Sequence, residues 1–157
     1  MKILLIAVGV MREAPLKELA ERFAARIPHY MPFDCIAIPD PSSARSLTAE
    51  QRKEREGEAI LSKINPGDFV VLFDERGKEL TSREFANFIE QKANNLQRNL
   101  VFIIGGPYGF SQAVYDRANS KMGLSKMTFT HEMARVIALE QIYRAMTILR
   151  GEPYHHD

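Results

Sequence analysis

Leu100-Val101-Phe102-Ile103-Ile104-Gly105-Gly106-Pro107-Tyr108-Gly109, with Leu124-Ser125-Lys126-Met127-Thr128-Phe129-Thr130-His131 after it, decides the architecture of this chain. Leu100 to Ile104 is a continuous apolar run, the pattern of a strand buried on both faces of a parallel sheet. It ends in a glycine-rich turn. The second segment reads as a strand over Lys121 to Met127, closing in a short polar turn that opens the last helix. Glycine at a strand-to-helix junction admits positive φ and lets a ligand approach bare backbone. Two such junctions in succession predict a pocket built largely from main-chain groups.

Working outward, apolar spacing predicts strands over Lys2 to Gly9, Phe33 to Ile38 and Asp68 to Asp74. A helix is expected from Pro15 to Ile27, with Leu16, Leu19, Ala20, Phe23 and Ala24 on one stripe. Pro39 to Ser43 reads as a loop. Thr48 with Gln51 and Thr81 with Glu84 form capping boxes that start two more helices. The first of these is so charged over Gln51 to Glu58 that its leading half is expected to be solvated or mobile. Arg76-Gly77-Lys78 reads as a turn. Ser111 caps a helix to about Ser120, and Thr130 caps the last one, to Arg150. Strands alternating with helices give a single α/β domain over 1–157, with a mainly parallel sheet flanked by helices. Ligands in such sheets bind beyond the carboxyl ends of the strands. Phe73, Gly105 and the 124–129 segment all fall there.

Composition narrows the function classes. The 157 residues are 45% apolar and 26% charged, as in an ordinary globular domain. The N-terminal apolar run, Ile3 to Val8, is too short to span a bilayer or serve as a signal peptide, so no membrane association and a cytoplasmic location are expected. Cys35, the only cysteine, is expected to pack as a small apolar side chain. No His, Cys and carboxylate spacing suggests a metal site. Net charge is +1, and Arg98 onward carries seven Lys/Arg against five Asp/Glu. Charge alone does not hold a long nucleic acid here.

Gly105-Gly106-Pro107-Tyr108-Gly109 departs from the dinucleotide fingerprint, since Ile104 stands where the first glycine would be. Leu124 to Phe129 mixes apolar side chains, hydroxyls and free backbone, a lining suited to an adenine ring and a thioether-like chain. A plain strand followed by an N-cap fits the same residues. His131 and Arg135 share a face in the first turns of the last helix. A neutral proton acceptor with a nearby cation and a surface histidine beside a salt-bridged arginine are both open. The last helix is apolar well beyond a surface stripe, which calls for its own sheet plus a partner subunit, or for deep burial in one chain. The tail Gly151 to Asp157 reads as a frayed terminus or a substrate-gripping arm.

Taken together, these residues resemble the bacterial ribosomal large-subunit methyltransferase H group of SPOUT-class RNA methyltransferases. The likeness runs from Met1-Lys2-Ile3 and Ala7-Val8-Gly9 through Lys53-Glu54 with Glu56-Gly57, then Asp74 with Gly77-Lys78. It continues through Ile104 to Pro107, Leu124-Ser125 with Thr128, His131, Arg135-Val136, Glu140-Gln141 with Tyr143-Arg144-Ala145, and Pro153-Tyr154-His155. Phe73 stands where the group often has leucine, and Thr130 where it commonly has proline.

The resemblance implies a SPOUT-type fold whose C-terminal part is threaded as a trefoil knot, a homodimer, and S-adenosylmethionine as methyl donor. It implies methylation of N3 of a pseudouridine in a 23S rRNA stem-loop on the assembled 70S ribosome, with no metal. Phe73, Gly105, Gly106, Leu124, Ser125, Lys126, Met127, Thr128 and Phe129 would bind the cofactor. His131, Arg135, Arg144, Tyr154 and His155 would be catalytic, facing the RNA and the transferring methyl. The alternative is a non-catalytic ribosome-binding protein with a nucleotide-like pocket.

Overall fold

The computed structural model describes residues 1–40 and 44–157; the last three residues of the expected 39–43 loop lie outside them. Five parallel strands form one sheet in the order β2-β1-β4-β3-β5, with β1 Ile3–Val8, β2 Phe33–Ile38, β3 Phe69–Glu79, β4 Leu100–Ile104 and β5 Ser120–Gly123. Every residue of β1 and β4 is buried, as their unbroken apolar runs require of central strands. On one face, Leu5, Phe102 and Val71 pack under α1 (Ala14–Arg26), α3 (Ser82–Asn95) and α5 (His131–Arg150). On the other, Ile6, Leu72 and Ile103 pack with Ile60 of α2 (Ala49–Leu61) and Val114 of α4 (Gln112–Arg117).

The capping signals are realised. Thr48 and Thr81 each complete a reciprocal capping box, and Ser111 and Thr130 accept from Val114 N–H and Met133 N–H. Gly151 ends α5 in a left-handed conformation, φ +68°.

Three expectations are corrected. β3 does not stop at Asp74: after an irregularity between Phe73 and Lys78 it pairs again with β5, Lys78 opposite Met122 and Glu79 opposite Gly123. Arg76-Gly77-Lys78 is therefore strand. A Cβ on Gly77 would lie 2.4 Å from Met122 N, so only glycine lets these backbones approach. β5 in turn is short, and 124–127 lies beyond it rather than in it. The leading half of α2 is solvated as expected, with Ala49, Glu50, Gln51, Glu54 and Arg55 exposed, and burial begins at Glu56 and Gly57. Cys35 lies in β2 as expected, but its side chain is exposed on this edge strand. Finally, α5 packs against both α1 and α3 as well as the sheet. Most of its apolar girth is buried within one chain while Met133 stays 38% exposed, so both expected arrangements, with and without a partner subunit, fit this packing.

Candidate active site

At the carboxyl edge of the sheet a cleft of about 820 Å³ opens between the ends of β3, β4 and β5 and the start of α5. Phe73, at the bend of β3, forms one wall and stacks on Phe102 with ring centres 5.5 Å apart. From β4 the chain enters the Gly105–Phe110 turn, closed by Gly109 N–H donating to Gly106 O at 3.2 Å. A Cβ on Gly106 would lie 2.8 Å from Glu56 Oε1, so this turn rests directly on α2. From β5 the chain supplies Leu124, Ser125, Met127, Thr128 and Phe129, with Met127 N–H held by Ser125 Oγ at 3.0 Å. Lys126 belongs to this turn but is exposed and does not line the cleft. A smaller cavity of about 210 Å³ adjoins it, sharing Phe73 and Leu124 and reaching Ile137 and Gln141 of α5.

His131 lines the cleft; its ring packs on Gly9, where an added Cβ would be 3.4 Å from Nε2. Arg135 does not reach the cleft. It is 5% exposed, its Nη2 donates to Gly9 O at 2.5 Å, and its Nε has no partner among the described residues. Burial lowers its pKa below the ordinary arginine value, partly offset by Cys35 and Glu132. In this chain the guanidinium lies away from the cleft, against the Gly9 carbonyl with Cys35 and Glu132 nearby.

Arg144, Tyr154 and His155 gather elsewhere. Arg144 Nε donates to Glu140 Oε1 at 3.0 Å, Tyr154 O–H donates to the same oxygen at 3.1 Å, and the guanidinium lies 4.7 Å from the Tyr154 ring centre. Burial, with Glu140 beside it, raises the Tyr154 pKa. Arg144 Nη1 meets His155 Nδ1 at 3.2 Å, and His155 Nε2 meets Asp157 Oδ1 at 2.8 Å. A guanidinium only donates, so Nδ1 accepts and Nε2 carries the hydrogen given to Asp157. Arg83 of α3 grips Asp157 through Nε at 2.7 and 2.8 Å. The tail is therefore a clasped arm. It folds back on the middle of α5, at Glu140 and Arg144: His131 and Arg144 are thirteen residues apart, about 20 Å at ~1.5 Å per residue. One chain does not bring the two groups together.

Sequence reasoning missed several cleft residues. Asp74, Glu75 and Arg76 line it because β3 continues past the expected turn, and Tyr115 enters from α4. Tyr115 O–H donates to Asp74 Oδ2 at 2.5 Å, and burial together with that bond pushes its pKa up to about 12. Lys53 reaches the rim from α2. The signal available for α2 was Gly57 within a charged helix, a mark of close packing.

The cleft volume lies within the range of small-molecule sites, and its lining combines apolar walls with bare backbone. A family model described as predicted SPOUT methyltransferase matches residues 1–155. The chain belongs to this family. A ribosomal RNA large subunit methyltransferase H from Bacteroides fragilis is 54% identical over 157 residues, all of both chains. The protein of the same name from Parabacteroides distasonis is 50% identical, again over the whole of both chains. In three dimensions the SPOUT chain is similar to a probable methyltransferase from Bordetella pertussis, with a TM-score of 0.51, covering 92% of this chain and 94% of that one at 14% identity. That likeness concerns the fold. Among the described residues no helix could cross a membrane and no cluster of His, Cys, Asp or Glu could hold a metal.

Proposed function

We propose that this SPOUT methyltransferase transfers the methyl group of S-adenosylmethionine to N3 of a pseudouridine in 23S rRNA, on the assembled 70S ribosome in the cytoplasm, as a homodimer. The observation that carries this reading is the cleft itself, which surrounds one volume with Phe73, the Gly105-Gly106 turn, the 124–129 turn and His131. Relatives named ribosomal RNA large subunit methyltransferase H, alike over their full length, support the substrate class. The donor, when bound, supplies a methyl group activated on a sulfonium sulfur. Phe73 and Leu124 form the apolar walls of its site, and the main chain around Gly105 and 124–129 reads the adenine edge.

N3 of the nucleobase must lose its proton as it takes the methyl, so a general base within reach speeds the step. His131 lines the cleft, whereas both ring nitrogens of His155 are already engaged. His131 is therefore the proton acceptor in this reading. Arg144, Tyr154 and His155 hold the RNA, with Tyr154 stacking on the target base. Because they gather on Glu140 and Arg144, nine and thirteen residues along α5 from His131, the partner's tail completes each site.

Two measurements test the reading. S-adenosylmethionine and S-adenosylhomocysteine should each raise the melting temperature by mass action. Mass spectrometry of rRNA from a deletion strain should lack one methyl-pseudouridine, restored with the gene. Absence of any thermal shift at large ligand excess favours a ribosome-binding protein without catalysis.

A further inference from the structure

We infer that Arg135 is a positioning residue: acting through Gly9, and aided by Glu132, it fixes the His131 ring at the cleft. The inference rests on the proposed role of His131. Arg135 is 5% exposed, too deep to offer its guanidinium to an RNA surface. Among the described residues its hydrogen bond runs from Nη2 to Gly9 O at 2.5 Å. Gly9 has φ +91°, a conformation that side-chain-bearing residues rarely adopt. A Cβ there would lie 3.4 Å from His131 Cδ2 and Nε2, so the bare peptide is the surface on which the ring rests.

Glu132 secures the other end of the segment. The residue is 8% exposed, and its Oε1 accepts from Arg12 N–H at 2.8 Å and Glu13 N–H at 3.0 Å. Residues 131, 132 and 135 thus hold the segment from Gly9 to Glu13 at three points, and that segment in turn backs the ring.

Arg135→Lys keeps the charge but loses the planar fork and the reach to Gly9 O. Turnover on ribosomes should fall on the order of a hundredfold, as expected when a reacting group is displaced by about 1 Å. KM for ribosomes and affinity for S-adenosylhomocysteine should hold. Gly9→Ala disturbs the same contact from the opposite side and should give the same split, so it serves if the lysine variant misfolds. The His131 ring resonances should shift in either variant, and adding Arg135→Lys to His131→Ala should cost nothing more. A raised KM with kcat unchanged would make Arg135 an RNA contact and overturn the inference, as would full additivity with His131→Ala. Full turnover from His131→Ala removes the base role and the inference with it. Loss in His131→Ala beside unchanged kcat in Arg135→Lys overturns the inference alone.

Discussion

Beneath the Gly105-Gly106 turn, the Glu56 carboxylate is buried with Oε1 3.4 Å from Arg52 Nε and Oε2 unpartnered among the described residues. Burial raises its pKa, and Arg52 only partly opposes the shift. A carboxyl with a raised folded pKa stabilises the fold fully below its unfolded pKa, and that contribution is lost as pH rises through the folded value. Glu56→Gln copies the protonated form and has no such dependence. Relative to wild type, its denaturation midpoint should therefore climb as pH is raised from the acid side toward neutrality. A constant difference across that range would mean that the carboxylate is paired at neutral pH. Glu56 also shows why this part of the site was hidden in the sequence. A glutamate among Arg52, Lys53, Glu54 and Arg55 has the signature of a solvated face. What buries it is a turn fifty residues later whose glycine leaves room for the carboxylate.

At the scale of elements, local chemistry was readable and distant contact was not. Thr48, Thr81, Ser111 and Thr130 announce their helices because each cap bonds within three residues. Leu100 to Ile104 announces a central strand because burial on both faces tolerates no polar residue. The second half of β3 gave no such sign: Arg76-Gly77-Lys78 reads as a turn, and the partner that makes this stretch strand is Met122-Gly123. Gly77 is the residue on which that pairing depends. Gly77→Ala puts a methyl into the Met122 backbone, and should cost about 1–3 kcal/mol as an overpacked contact. Since Phe73 and Leu124 flank this pairing and wall the cleft, binding of S-adenosylhomocysteine should weaken too. Urea denaturation and calorimetry read the two effects. Unchanged stability would mean that the β3 extension contributes little to the fold.

Across the whole molecule, α5 separates two groups that the resemblance assigns to one site. Packed on α1, α3 and the sheet, it carries His131 at its start and the Arg144–Tyr154–His155 arm along its middle. Homodimeric action predicts complementation. His131→Ala and His155→Ala homodimers should each be impaired, while random mixing of the two chains creates one intact site in half of the dimers. About a quarter of wild-type turnover should return, the share set by two-fold symmetry. No recovery on mixing would place both groups in one chain's site and contradict the geometry. The five strands also run the same way, so every carboxyl end meets the cleft side and every amino end faces away. The exposed bend at Gln97 and Arg98, ahead of β4, sits on that remote rim. An epitope or dye-binding peptide grafted there would report where the enzyme travels in a living cell without touching the machinery it carries.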